Sequence, residues 1–166
     1  MGAEYAPARA VAVKASGKFS PEVIITVFVV SELNIYEAYV NEHSIKNVIF
    51  TDFISDEQLR WMYENTAVYC FPSLSEGFGL PGLEAMLHGA PVASSTATCL
   101  PETHGDAAHY FDPYDVEDIA HAIDDLLTDE KLRRQLIKKG KQHVKTFSWQ
   151  RMAEQTLAVY NSVVKD

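Results

Sequence analysis

Short runs of apolar, β-prone residues alternate along this chain with longer stretches in which apolar side chains recur every three to four positions. The runs at residues 10–14, 23–30, 48–50, 68–71, 91–94 and 108–111 predict strands. Helices are predicted at 32–43 behind Ser31, 56–65 behind Ser55, 81–88, 116–127 behind Asp115, from Asp129 to about Lys145, and behind Ser148. Gln58, three residues after Ser55, completes a capping-box pattern. In the last helix Met152, Ala153, Leu157, Tyr160 and Val164 mark an apolar stripe. Strands alternating with helices imply an α/β fold, a doubly wound and mostly parallel sheet covered on both faces. Ligands of such sheets bind beyond the carboxyl ends of the strands. One connection does not fit. Only residues 15–22 separate the first two strands, and a parallel crossover takes about a dozen residues or more. Either the first crossover helix is absent, or the two strands pair antiparallel, or 10–14 lies outside the sheet.

Composition narrows the classes. The 166 residues, 47% hydrophobic, can bury one good core, so residues 1–166 are read as a single domain with an atypical or truncated start over 1–50. A formal net charge of −9 argues against nucleic acid and against an anionic membrane surface as general partners. Seven cations gather between Lys131 and Lys145, and they read as a solvated helix face with charge biased to the favourable end of the dipole. Cys70 and Cys99 form no disulfide framework and suit a reducing cytoplasm; Cys70, in an apolar strand, reads as a small buried hydrophobe. No run is long enough to span a bilayer, and no signal peptide is visible. The six histidines have no metal-ligand spacing, and a surface position is expected for each, His104 and His109 included. The aromatics Tyr5, Trp61, Tyr63, Tyr69, Phe71, Phe111 and Trp149 are expected mostly in the core.

Chemistry concentrates in one segment, Phe71-Pro72-Ser73-Leu74-Ser75-Glu76-Gly77-Phe78-Gly79-Leu80-Pro81-Gly82-Leu83-Glu84-Ala85-Met86. A strand is followed by a Gly-Phe-Gly turn and a helix that Pro81 suits at its start and Gly89 at its stop. Gly77 and Gly79 permit backbone conformations that other residues avoid and let a ligand approach the main chain. Free amides and the positive end of the helix dipole then face out of the sheet edge, an arrangement that suits an anion. Glu76 before the turn and Glu84 in the first helical turn can each accept hydrogen bonds from a sugar, with a phosphate on the amides between them. A sugar–diphosphate–ribose molecule has that order of groups. Phe78, between the glycines, has the best claim among the aromatics to a place in the crevice. The plainer alternative is a surface loop with two solvated glutamates.

Over residues 54–164 an ordered series of motifs resembles the C-terminal half of a retaining glycosyltransferase of the group 1 family (family 4, GT-B fold). The series runs Ser73-Leu74-Ser75-Glu76-Gly77-Phe78-Gly79-Leu80-Pro81, Glu84-Ala85-Met86, Gly89-Ala90-Pro91-Val92, Leu100-Pro101-Glu102, Gly105-Asp106-Ala107-Ala108, Asp112-Pro113 and Phe147-Ser148-Trp149. The resemblance implies a Rossmann-like half that binds a nucleoside diphosphate sugar and transfers its hexose, with retention, to an acceptor hydroxyl. It implies that Glu84 holds the ribose hydroxyls, that Glu76 holds the donor sugar near its reacting carbon, and that Gly77, Phe78, Gly79 and Leu80 meet the sugar and diphosphate. No Asp-x-Asp motif is present, so no essential metal and no cofactor beyond the donor substrate are expected. The text from Leu100 to Pro113 leans toward mannosyl- or glucosyltransferases.

Three departures stand beside the resemblance. Lys18 is the one candidate, with Lys14 a weak substitute, where the family carries an arginine and a lysine that neutralise the diphosphate. Asp52 stands where glycine is common near the nucleobase. The family's N-terminal acceptor domain has no room in this chain, which reads as an excised or rearranged donor half; membrane contact is expected only through a full-length enzyme. The alternative function is a nucleotide-sugar binding module without catalysis; a sugar-nucleotide epimerase fits the motif series less well.

Overall fold

The computed structural model describes residues 9–14, 24–29, 33–46, 48–51 and 54–164. Six strands form one sheet in the order β3-β1-β2-β4-β5-β6. They are β1 (Arg9–Lys14), β2 (Ile24–Val29), β3 (Val48–Phe50), β4 (Val68–Phe71), β5 (Val92–Ser95) and β6 (Ala108–Phe111). The helices are α1 (Leu33–Glu42), α2 (Asp56–Asn65), α3 (Leu80–Leu87), α4 (Leu100–His104), α5 (Val116–Thr128), α6 (Glu130–His143) and α7 (Trp149–Val163).

The short connection after β1 is settled by direction. β1 pairs antiparallel with β2, Arg9 opposite Val29 and Lys14 opposite Ile24, so no crossover helix is required. β1 also pairs antiparallel with β3. The chain leaves β2, passes through α1 and returns as β3 beyond β1. From β2 onward β4, β5 and β6 pair in parallel, Ile25 with Val68, Tyr69 with Val92 and Val92 with Ala108. Only β1 therefore runs against the rest.

The period of two along β4 sends its side chains to two separate cores. Tyr69 and Phe71 join Tyr63 of α2, Met86 of α3, Val92 and Leu100 on one face. Val68 and Cys70 join Ala93, Phe111, Ala122 and Leu126 of α5 and Leu136 of α6 on the other. Cys70 is buried as expected, which pushes its thiol up to about 12. The helix ends follow the sequence signals. Ser55 and Gln58 bond reciprocally, Asp115 accepts from the Glu117 and Asp118 amides, and Asp129 and Ser148 cap α6 and α7. The basic face of α6 is largely solvated, with Arg133 turned to the Leu126 and Leu127 carbonyls at the end of α5 and Lys139 paired to Asp106.

Several expectations need correction. Trp61 and Trp149 are exposed, not core. The apolar stripe of α7 is present as read, and no residue of that helix is buried, so it faces outward. The short helix α4, in the Leu-Pro-Glu segment, had no apolar periodicity to announce it. Tyr5, Lys18 and Asp52 lie outside the described residues, as does the side chain of Lys14.

Candidate functional site

Parallel pairing of β4 with β5 places both carboxyl ends on one sheet edge, so residues 72–79 and 96–99 leave the sheet side by side. The first of these is the glycine turn. Gly79 caps α3 with φ 87° and ψ 37°, a left-handed conformation that glycine adopts without penalty. It is also crowded: a Cβ there would lie 2.5 Å from Leu100 Cδ2. Gly77 differs, because a Cβ there would meet nothing within 4 Å and no left-handed φ holds it. The backbone demand for glycine falls on Gly79; at Gly77 the small side chain leaves open space. Pro81 sits in the first turn of α3, and its missing N–H falls where helix amides have no internal partner.

The segment after β5 holds this turn at several points. Ser95 donates its hydroxyl to the Ser73 carbonyl at 2.6 Å and accepts from the Ala97 amide at 3.1 Å. The Thr98 hydroxyl accepts from the Glu76 amide at 3.1 Å and donates to the Glu76 carbonyl at 3.2 Å. The Cys99 thiol donates to the same carbonyl at 3.2 Å.

The fourth tie is His104, and here the expectation of a surface histidine is wrong. Its ring is fully buried, set against Gly82, where a Cβ would lie 2.3 Å from Nε2. Nε2 lies 3.1 Å from the Gly79 carbonyl and Nδ1 lies 3.1 Å from the Ser94 hydroxyl. A carbonyl only accepts, so Nε2 carries the proton and Nδ1 accepts from Ser94. Burial holds the pKa of His104 below the usual histidine value, aided by the nearby His143 and opposed by the bond to Gly79. The neutral ring thus links β5, α4 and the left-handed cap of α3. The signal that could have found it was the small Gly82 in a helix, which leaves the space the imidazole fills.

This lowered pKa fixes a pH dependence. With the folded value below the unfolded one, His104 contributes its stability above about pH 6.5, and that contribution is lost as pH falls toward the folded value. Denaturant midpoints measured from pH 8 to pH 5 should show a fall of up to about 1.4 kcal/mol per pH unit over that window. In His104→Gln, whose amide can still donate to Gly79, this part of the fall should vanish; equal slopes in both proteins would refute the assignment.

The two glutamates are held by different elements. Glu76 is half-buried, and its main chain is tied to Thr98 and Cys99. Glu84, on α3, turns to α2. Shielding from water raises its pKa, His88 opposes the rise, Asp56 adds to it, and Tyr63 lowers it. Beneath it the Tyr63 and Tyr69 rings meet edge to face at 5.3 Å, and both hydroxyls are buried, the Tyr63 hydroxyl near enough to Glu84 and Tyr69 to interact with each although no bond there is well formed. Phe78 leans edge to face on Phe147, 5.7 Å between ring centres, beside an apolar hollow of about 350 Å³ that Leu80, Leu83, Trp149 and Met152 also line. The turn therefore has the Glu76 main chain tied to the segment after β5, Glu84 toward α2, and Phe78 toward α7. Among the described residues no group of three His, Cys, Asp or Glu side chains is placed to hold a metal ion.

Comparison with known proteins bears on the family and the fold. The sequence pattern of "Glycosyl transferases group 1" matches residues 30–143, beginning just after β2. The chain is 37% identical over 133 residues to the MMP alpha-(1->4)-mannosyltransferase of Mycolicibacterium hassiacum, covering 77% of this chain and 32% of that protein. Among solved structures it resembles the sucrose-phosphate synthase of Thermosynechococcus elongatus, with TM-score 0.68 and 31% identity over 78% of this chain and 34% of that one. It also resembles the C-terminal domain of a group 1 family glycosyl transferase from Francisella tularensis, with TM-score 0.59 and 30% identity over 69% of this chain and 60% of that one. The chain spans about a third of the length of the curated mannosyltransferase.

Proposed function

This chain belongs to the glycosyl transferases of group 1, and we propose that it is the donor half of a retaining hexosyltransferase. The observation that carries the reading is the left-handed helix start at Gly79, on the edge where β4 and β5 end, with a carboxylate on either side of it in sequence. The amides at Phe78, Gly79 and Leu80 meet the diphosphate, and the helix dipole favours its charge. Glu84 accepts from the ribose hydroxyls. Glu76 accepts from the hexose and favours positive charge at the sugar carbon as the diphosphate departs. The acceptor hydroxyl attacks from the face the diphosphate leaves, which retains the anomeric configuration. The leaving phosphate is stabilised by donors already in place, so little reorganisation accompanies reaction. No divalent ion is assigned a part. The donor is a mannosyl or glucosyl nucleotide, in keeping with the mannosyltransferase among its relatives. Lys18 remains a proposed partner of the diphosphate.

The acceptor-binding half is proposed to be a separate N-terminal domain. The exposed apolar side chains of α7 and the hollow beside Phe78 are where such a half would pack. Among the described residues no helix is long and apolar enough to cross a membrane; a cytoplasmic setting, with any membrane contact made by a full-length enzyme, is part of the proposal.

Glu84→Gln tests the nucleotide end. The substitution keeps size and removes charge-assisted acceptance, worth about 1.5–3 kcal/mol. Nucleoside diphosphate affinity should fall about tenfold to a hundredfold. The melting temperature should barely move, because Glu84 is exposed on α3 and forms no ion pair among the described residues. Unchanged affinity in titration calorimetry would sink the ribose assignment.

A further inference from the structure

Thr98 is one of two non-glycine residues with a left-handed backbone among the described residues, at φ 50°. A β-branched residue is a poor occupant of that region, where the side chain crowds the following peptide. It follows β5 closely and contributes nothing to either core. What the conformation achieves is specific. It brings the hydroxyl to the Glu76 main chain, where one oxygen both accepts from the amide, at 3.1 Å, and donates to the carbonyl, at 3.2 Å. Both main-chain groups of a single residue are thereby fixed by one side chain from the neighbouring segment. The Cys99 thiol adds a second donor to the carbonyl. Gly77 follows directly, and a Cβ there would meet nothing within 4 Å, so no side-chain packing at Gly77 helps to hold the peptide on that side of Glu76.

We propose that Thr98 is a positioning residue for Glu76, holding its backbone in the orientation that aims the carboxylate at the hexose of the donor. The inference rests on the reading of Glu76 as the sugar-binding carboxylate. It adds that the specificity for a sugar-bearing nucleotide over the bare nucleotide is set partly by a residue that touches neither. Backbone strain at a functional position is tolerated where the surroundings over-determine it, and the reciprocal bonds supply that determination here.

Replacement by glycine separates this role from a structural one. Glycine takes the left-handed conformation freely, so Thr98→Gly relieves the backbone while deleting both bonds to Glu76. Binding of GDP, GDP-mannose, UDP and UDP-glucose to the 166-residue chain is measured by titration calorimetry, alongside its melting temperature. Whichever nucleotide the parent prefers, Thr98→Gly should bind the bare diphosphate within about twofold of the parent and the sugar-bearing form about five- to tenfold more weakly, less than the loss of a whole charge-assisted hydrogen bond because the carboxylate stays and only its aim is lost. The melting temperature should stay within about 2 °C, since strain relief offsets two exposed hydrogen bonds. Thr98→Ser, which keeps the hydroxyl, should restore the sugar preference. Glu76→Gln is the reference for the underlying reading. If Glu76→Gln loses the preference and Thr98→Gly keeps it, the positioning role is overturned. If Glu76→Gln also keeps it, the reading of Glu76 itself fails. If the parent binds none of the four, the turn is not a donor site and the inference falls with it.

Discussion

Gly79→Val is expected to abolish binding of both a nucleoside diphosphate sugar and the bare diphosphate while leaving the protein folded. Two effects combine at this position. The backbone at φ 87° is one that a β-branched residue reaches only at a cost of about 1–3 kcal/mol. The new Cβ would also lie 2.5 Å from Cδ2 of Leu100, a fully buried side chain with little room to yield, and overpacking of that kind costs about 1–3 kcal/mol. Together they place the loss at roughly 2–6 kcal/mol, a large share of the roughly 5–15 kcal/mol that holds an ordinary domain folded. Relief comes by rotating the turn out of its left-handed cap or by pushing α4 away. Either movement breaks the bond from His104 to the Gly79 carbonyl and turns the amides of Gly79 and Leu80. Gly77→Ala is the control, because its Cβ meets nothing and its melting temperature should match the parent's. Calorimetric titration with a bare nucleoside diphosphate decides the matter. Undiminished binding in a folded Gly79→Val would mean that the phosphate is not seated on these amides.

That contrast between two glycines of one turn also shows what the sequence could carry. Gly77 and Gly79 look alike in the text, and both fit a turn that admits a ligand. Only the packing of Leu100 and His104, more than twenty residues away, assigns the conformational demand to Gly79. Local signals were legible: the alternating runs that became β4 and β6, the capping box at Ser55 and Gln58, and the Asp115, Asp129 and Ser148 caps. Each depends on residues within a turn of one another. The direction of β1 was legible only as one of three possibilities, since residues 15–22 limit the connection without saying which partner the strand takes. His104 was misplaced because a lone histidine has no periodicity, and its partners Gly79 and Ser94 lie on other elements. The stripe of α7 was legible as a stripe, and its outward direction was not. Apolar residues at helical spacing report that a face is to be covered, and they are silent on whether the cover lies in the same domain. The carboxylates and the turn were singled out by motif. Their supports, Thr98 and Ser95 from the strand alongside, could be assigned only once β4 and β5 were known to lie in parallel register.

The isolated chain is expected to bind a donor and fail to transfer its sugar. The turn, Glu76 and Glu84 all lie on elements that pack within this chain, so the proposed binding half of the site needs no other domain to hold its shape. The other half has no candidate among the described residues. The face of the turn toward α7 is an open apolar hollow, and Trp149, Met152, Leu157 and Tyr160 stand exposed along that helix. A hexose held there is wet on its outer side, and an acceptor must arrive from solution without a surface to orient it. Orientation and prepaid entropy can be worth about 7–11 kcal/mol of a two-substrate reaction, equivalent to five or more orders of magnitude in rate. Electrostatic help from the helix start persists, so slow hydrolysis of the donor is the most that should be seen. The measurement is release and transfer of label from a radiolabelled nucleotide sugar with an added hexose acceptor. Label in the acceptor, abolished by Glu76→Ala, would show that this chain alone is a complete transferase. Label remaining in the donor or appearing as free hexose, together with calorimetric binding, would identify it as the donor half of a two-part catalyst.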